Sequence, residues 1–189
     1  MPDALTVRQA LAQAGLAPVD ARALLAHVLR RDRAWLTAHE TEPLALTDVE
    51  RFFALARRRR DGEPVAYLTG EREFWGVTLA VDPSVLIPRP ETETLVECAL
   101  RVLPPERAVR VLDLGTGSGA IAIALAMERP RAQIVATDVS QAAVAIARAN
   151  LARMKLERVR VIQSSWYEAL PSAGARFDLI ASNPPYVAV

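Results

Sequence analysis

The chain has 189 residues, 51% of them apolar, and a formal net charge of +1. That apolar share suits a packed core and excludes a disordered chain, while the near-zero charge gives no overall pull toward nucleic acid. A single cysteine, Cys98, excludes an internal disulfide framework, and the short, charge-broken apolar stretches predict no membrane span.

The elements from Pro2 to about Gly70 all read as helical. Thr6-x-x-Gln9 and Thr47-x-x-Glu50 have the spacing of capping boxes. Gly15 and Pro18 separate a first helix from the run Val19 to Leu29, and apolar residues recur at three and four, as a small bundle requires. Asp3, Arg8 and Gln9 interrupt any signal-peptide core, so the expected location is the cytoplasm. His27 and His39 have no acidic or thiol neighbours at ligand spacing, and no metal is expected. Arg57 to Arg60 end a helix that carries Val49, Phe52, Phe53 and Ala56 on one face. Such cations complement a helix C-terminus, and Gly62 supplies the stop. Contact with RNA or a protein partner is the competing reading of that run.

From about Glu71 to Pro90 the pattern changes. Phe74 to Val81 nearly alternates and contains a glycine turn, which predicts a β-hairpin between two domains. After Pro90, Glu91 to Leu100 reads as a helix with acids in its first turn and Cys98 as a buried core thiol.

Arg110 to Leu114 is a strand that runs into Gly115-Thr116-Gly117-Ser118-Gly119, and a helix continues to Glu128. Glycines let a backbone approach a ligand closely, and the helix N-terminus offers free N–H groups. Gly115-x-Gly117-x-x-Ala120 also fits a dinucleotide fingerprint, so the ligand stays open at this point. Gln133 to Asp138 is a second strand ending in an acid, placed to accept from ribose hydroxyls; the competing role is capping the helix after Ser140. A third strand ends at Ser164. The apolar run Phe177 to Ala181 reads as a buried parallel strand, stopped by Asn183-Pro184-Pro185-Tyr186. The Asn183 side chain and the carbonyls beside it could grip a planar –NH2 group, with Tyr186 as a flat wall; a plain strand-ending turn is the alternative. Four strands alternating with helices predict an α/β fold with a doubly wound parallel sheet, its site at the strands' carboxyl ends. The expected division is a helical substrate-recognition domain over 1–70, a hairpin linker over 71–90 and the α/β domain over 91–189.

These residues resemble a family. Val111-Leu-Asp-Leu-Gly-Thr-Gly-Ser-Gly119 looks like the cofactor loop of class I S-adenosylmethionine-dependent methyltransferases, and Asn183-Pro-Pro-Tyr186 like their amine-methylating motif. Arg72-Glu-Phe-Trp-Gly76 followed by Leu86-Ile-Pro-Arg-Pro-Glu-Thr-Glu93 is similar to the peptide chain release factor glutamine methyltransferases. The resemblance implies methyl transfer from S-adenosyl-L-methionine to the glutamine amide of the Gly-Gly-Gln loop of release factors. It implies that Gly115 to Gly119 hold the methionine and ribose parts, that Asp138 binds the ribose and that Trp166 packs near the adenine. Asn183 and the Pro184 carbonyl would hold the amide nitrogen, with Pro185 and Tyr186 completing the motif. Ser165 departs from the pattern, which usually has an acid there. Pro88 to Glu91 would be a stiff arm over the cofactor or an interdomain brace. The alternatives are an adenine amino-methyltransferase acting on DNA or RNA and a non-catalytic nucleotide-binding module. The family's sheet has seven strands and four are counted here, so the chain is expected to be incomplete, with Phe177 to Asn183 as an edge strand.

Overall fold

The computed structural model describes residues 4–170 and 176–184. The chain divides into two compact units, residues 1–70 and 71–189.

The first unit is helical: α1 Val7–Gln13, α2 Pro18–Leu29, α3 Arg33–Ala38, α4 Leu46–Arg60 and α5 Val65–Thr69. Each buries an apolar stripe in one core containing Val7, Leu24, Leu25, Leu36, Phe52 and Leu68. The first capping box is present: Gln9 N–H donates to Thr6 Oγ1 at 3.4 Å, and Thr6 N–H donates to Gln9 Oε1 at 2.9 Å. The second is not. α4 starts at Leu46 behind Ala45, which makes no side-chain cap, so Thr47 lies inside the first turn. The chain reaches this point held extended by Leu44 N–H on the Leu5 carbonyl at 2.8 Å, and it turns as soon as that bond ends.

Most of the arginine run is spent on bonds within the helical unit. Arg58 Nε donates to Glu63 Oε2 at 2.7 Å, Arg59 Nε to Asp20 Oδ2 at 2.8 Å, and Arg60 Nη1 to the Ala14 carbonyl at 2.6 Å. The last of these satisfies a carbonyl just past the end of α1.

The second unit opens with the hairpin β1 Glu71–Phe74 and β2 Val77–Ala80. Its two-residue turn has φ 50° at Trp75 and 71° at Gly76, the positive-φ pair that matches the strands' right-handed twist. Then follow α6 Glu91–Val102, β3 Arg110–Leu114, α7 Ala120–Glu128, β4 Gln133–Asp138, α8 Gln141–Arg153, β5 Arg160–Gln163 and β6 Leu179–Ser182. The last four strands form a parallel sheet in the order β5-β4-β3-β6. The path from β3 to β4 to β5 moves in one direction, so right-handed crossovers put α7 and α8 on the same face. α7 is buried from Ala120 to Ala126, against α6 and β4. Its alanines allow that close approach.

From β5 the chain returns across the sheet to pair β6 with the far side of β3. This reversal is the switch point of an open α/β sheet, where ligands bind beyond the carboxyl ends. It also corrects two expectations. The strand read as buried is only half so, with Ala181 buried and Ile180 51% exposed; among the described residues β6 pairs with β3 alone, the edge position expected for Phe177 to Asn183. It also begins at Leu179, since Asp178 Oδ2 is used to accept from Arg110 N–H at 2.7 Å. A third correction concerns Cys98. It is exposed, on the flank of α6 away from buried Val96 and Ala99, and its sulfur accepts from Arg101 Nη2 at 2.9 Å.

Candidate active site

Two motifs meet at the switch point. β3 and β6 are in register to their last residues, Leu114 opposite Ser182. Ser182 Oγ donates to the Leu114 carbonyl at 2.9 Å, locking the two carboxyl ends together. The glycine loop leaves one strand and Asn183-Pro184 leaves its neighbour, so residues almost seventy apart in sequence become adjacent in space.

The loop owes its shape to backbone that only glycine adopts without strain. φ is 70° at Gly115, 54° at Gly117 and 83° at Gly119. A Cβ on Gly115 or Gly117 would meet nothing within 4 Å, so the backbone there faces open space against which a ligand can lie. Gly119 differs. A Cβ on it would come within 3.4 Å of Ala147 on α8 and Ile123 on α7, so this glycine serves helix packing. Gly115 and Thr116 N–H both donate to the Thr137 carbonyl at 2.9 Å, tying the loop to the end of β4.

Two carboxylates support the loop. Asp138, partly exposed, accepts from Gly117 N–H through Oδ2 at 2.9 Å and from Ser140 N–H through Oδ1 at 3.0 Å. Helix α8 takes its cap from Ser140, whose Oγ accepts from Ala143 N–H at 3.2 Å. Asp138 therefore holds the loop and the helix entrance together. A carboxylate has about four acceptor sites, which leaves capacity for ligand hydroxyls. Asp113 is fully buried beneath the loop and accepts from Thr116 Oγ1 at 2.7 Å. Burial pushes its carboxyl up to about 6. The Thr116 hydrogen bond and the nearby Ala122 N–H pull the other way, and the charge of Asp138 adds to the rise. Asp113 Oδ1 is the one buried side-chain nitrogen or oxygen without a hydrogen-bond partner among the described residues.

A depression of about 320 Å³ opens beyond β4 and β5, lined by Val139, Gln163, Ser164, Ser165, Glu168 and Ala169. It begins one residue past Asp138. Trp166 has φ 48° and is 59% exposed, and it does not line this depression. Val139 offers the depression an exposed apolar side chain, and Glu168 brings the only acid of the lining; neither stood out in the sequence. Ser164 shapes the wall by accepting Ala169 N–H at 3.0 Å.

Asn183 Nδ2 donates to Thr92 Oγ1 in the first turn of α6 at 2.9 Å. Pro185 and Tyr186 lie outside the described residues. The Pro88–Glu91 segment is a brace within the second unit. Arg72 Nε on β1 donates to the Pro88 carbonyl at 3.2 Å, and Trp75 N–H in the hairpin turn donates to Glu93 Oε1 at 2.9 Å.

The residue that sequence reasoning missed most completely is Asn150. It is fully buried on α8. Its Oδ1 accepts from Ala80 N–H at 2.7 Å, while Nδ2 donates to the Ala80 carbonyl at 3.0 Å and the Ser118 carbonyl at 2.9 Å. One side chain thus clamps the hairpin to the glycine loop. An asparagine inside the alanine-rich stretch Ala142 to Ala152 was the available signal.

Among the described residues, no cluster of His, Cys, Asp or Glu could hold a metal ion, and no helix is long and apolar enough to cross a membrane.

Known proteins bear directly on this arrangement. Residues 6–70 match the PrmC N-terminal domain family and residues 92–189 the Methyltransferase small domain family. The chain is 53% identical over 182 residues to a release factor glutamine methyltransferase of Bordetella pertussis, covering 96% of this chain and 67% of that one. It is 52% identical over 171 residues to a release factor glutamine methyltransferase of Xylella fastidiosa, covering 90% of this chain and 62% of that one. The chain thus spans about two thirds of the length of these curated relatives. A solved human methyltransferase 10 domain containing protein shares the fold, with 20% identity, TM-score 0.51, and coverage of 60% of this chain and 56% of that one.

Proposed function

The chain belongs to the release factor glutamine methyltransferase family, and on that premise we propose that it transfers a methyl group from S-adenosyl-L-methionine to the side-chain amide of the release factor glutamine. The observation that carries this reading is the pairing of Leu114 with Ser182, which sets the glycine loop beside Asn183. When bound, S-adenosylmethionine supplies an electrophilic methyl on a sulfonium. The loop from Gly115 through Thr116, Gly117 and Ser118 to Gly119 would hold its methionine and ribose parts, and Asp138, whose two backbone bonds leave lone pairs over, would accept from the ribose hydroxyls. Val139 and Ser164 of the depression, with Trp166 two residues further on, would hold the adenine.

An amide nitrogen is a poor nucleophile because its lone pair is delocalised into the carbonyl. The chain's part is therefore positioning. Asn183 Oδ1 and the Pro184 carbonyl accept the two amide hydrogens, which turns the nitrogen toward the methyl group. The same acceptors would stabilise the positive charge that grows on nitrogen, and the extra proton would pass to solvent water after transfer. The reaction belongs in the cytoplasm, where release factors work.

The test offers labelled S-adenosylmethionine with a release factor and with nucleic acid in parallel. Label is expected in the release factor and is expected to vanish when its loop glutamine is replaced. Label in the nucleic acid alone would overturn the reading. Asn183→Ala is expected to lower kcat by about 3–4 kcal/mol of barrier, the scale of losing one preorganised polar partner of a transition state.

A further inference from the structure

We propose that Thr92 is the positioning residue for the Asn183 amide, an inference that rests on Asn183 acting as the acceptor for the glutamine. The two side chains meet across 91 residues of sequence, Nδ2 on Oγ1 at 2.9 Å. Asn183 lies just past the end of β6, whose pairing with β3 stops at Ser182. The terminal torsion of an asparagine is broad and roughly two-fold, so strand pairing alone gives the amide little support in one orientation. α6 packs against β6 and supplies that support through the Thr92 hydroxyl.

The hydroxyl is itself well anchored. Thr92 N–H donates to the Arg89 carbonyl and Glu93 N–H to the Pro90 carbonyl, each at 3.0 Å. Glu93 and Pro88 are in turn bonded to the hairpin through Trp75 and Arg72. The first turn of α6 is therefore fixed at its backbone and on both sides of Thr92, and it passes that rigidity to the amide.

The chemistry makes orientation decisive. An asparagine amide has a donor end and an acceptor end of nearly equal size, and a half-turn exchanges them. With Nδ2 directed at Thr92, the oxygen is the end turned away from α6. In the opposite orientation two N–H donors would face the –NH2 group of the methyl acceptor. That contact is repulsive, and it would remove stabilisation of the charge developing on nitrogen.

The experiment compares Thr92→Val, which keeps the branched shape and loses the hydroxyl, with Thr92→Ser, which keeps the hydroxyl. In the intact protein, Thr92→Val is expected to lower kcat for release factor methylation by a factor on the order of 10², the cost of misplacing a reacting group. S-adenosylmethionine affinity and Tm should stay at the wild-type values, and Thr92→Ser should restore most of the rate. In an Asn183→Ala background, Thr92→Val should cost nothing further, because the two residues act as one unit. Thr92→Val at the wild-type rate overturns the proposal, as does an equal loss in the Asn183→Ala background or a loss that tracks a fallen Tm. A wild-type protein that does not methylate release factor removes the premise and the inference together. An active wild type with an indifferent Thr92→Val removes the inference alone.

Discussion

Asp113 sits under the glycine loop where water cannot reach it, and its carboxyl is raised to about 6 from an ordinary 3.8. The folded protein therefore holds this proton more tightly than the unfolded chain does. Ionised Asp113 destabilises the fold at every pH above about 6, and the penalty fades as the pH falls from there toward 4. Asp113→Asn is expected to raise stability by up to about 3 kcal/mol at pH 8, from a shift of roughly two pK units, and to add nothing near pH 4. Urea unfolding at the two pH values measures this; an equal gain at both would show that the cause is not ionisation. Asp138 has a different task. Asp138→Ala is expected to weaken S-adenosylmethionine binding by roughly 1.5–3 kcal/mol, the scale of a charged hydrogen bond, with Asp138→Asn between it and the wild type. Calorimetry reads the difference, and unchanged affinity would remove the ribose assignment.

At the scale of elements, the clamp between hairpin, helix and loop is expected to be costly to break. Asn150→Ala deletes three hydrogen bonds, one in a buried site at Ser118 and two in a partly buried one at Ala80. A loss of about 3 kcal/mol in denaturant unfolding is expected, since unsatisfied buried groups cost more than the bonds themselves gain. The elements were legible in the sequence wherever their cause is local. The β3 strand, its glycine turn and α7 follow from residues that are consecutive, and so does the hairpin with Gly76 at its turn. The failures share one cause. Thr47 lost its cap to a bond between Leu44 and Leu5, and Cys98 was turned outward by the face that α6 buries. The run Phe177 to Ala181 read as buried from its apolar content alone, whereas its edge position was expected only from the count of four strands. The site divides the same way. Asp138 ends a strand and could be found from that alone. Asn150 and Thr92 act on partners 70 and 91 residues away; a lone asparagine in an alanine-rich helix hints at the first, and no local pattern marks the second.

For the whole molecule, the two units have separate cores, one drawn from residues 7–68 and the other from residues 74–181. The loop, Asp138 and Asn183 all belong to the second. Removing residues 1–70 is expected to leave S-adenosylmethionine affinity near that of the full chain and to abolish methylation of intact release factor. Full-rate methylation by the shortened protein would show that the helical unit plays no part in recognition. The bond from Ser182 Oγ to the Leu114 carbonyl carries a consequence of its own. It couples the strand that leads to Asn183 to the strand that leads to the glycine loop, so a shift at one end is passed to the other. Release factor and S-adenosylmethionine are therefore expected to bind with linked affinities, each changing the other's by the same factor. Calorimetry with each ligand in the presence and absence of the other reads this linkage, and Ser182→Ala is expected to weaken it.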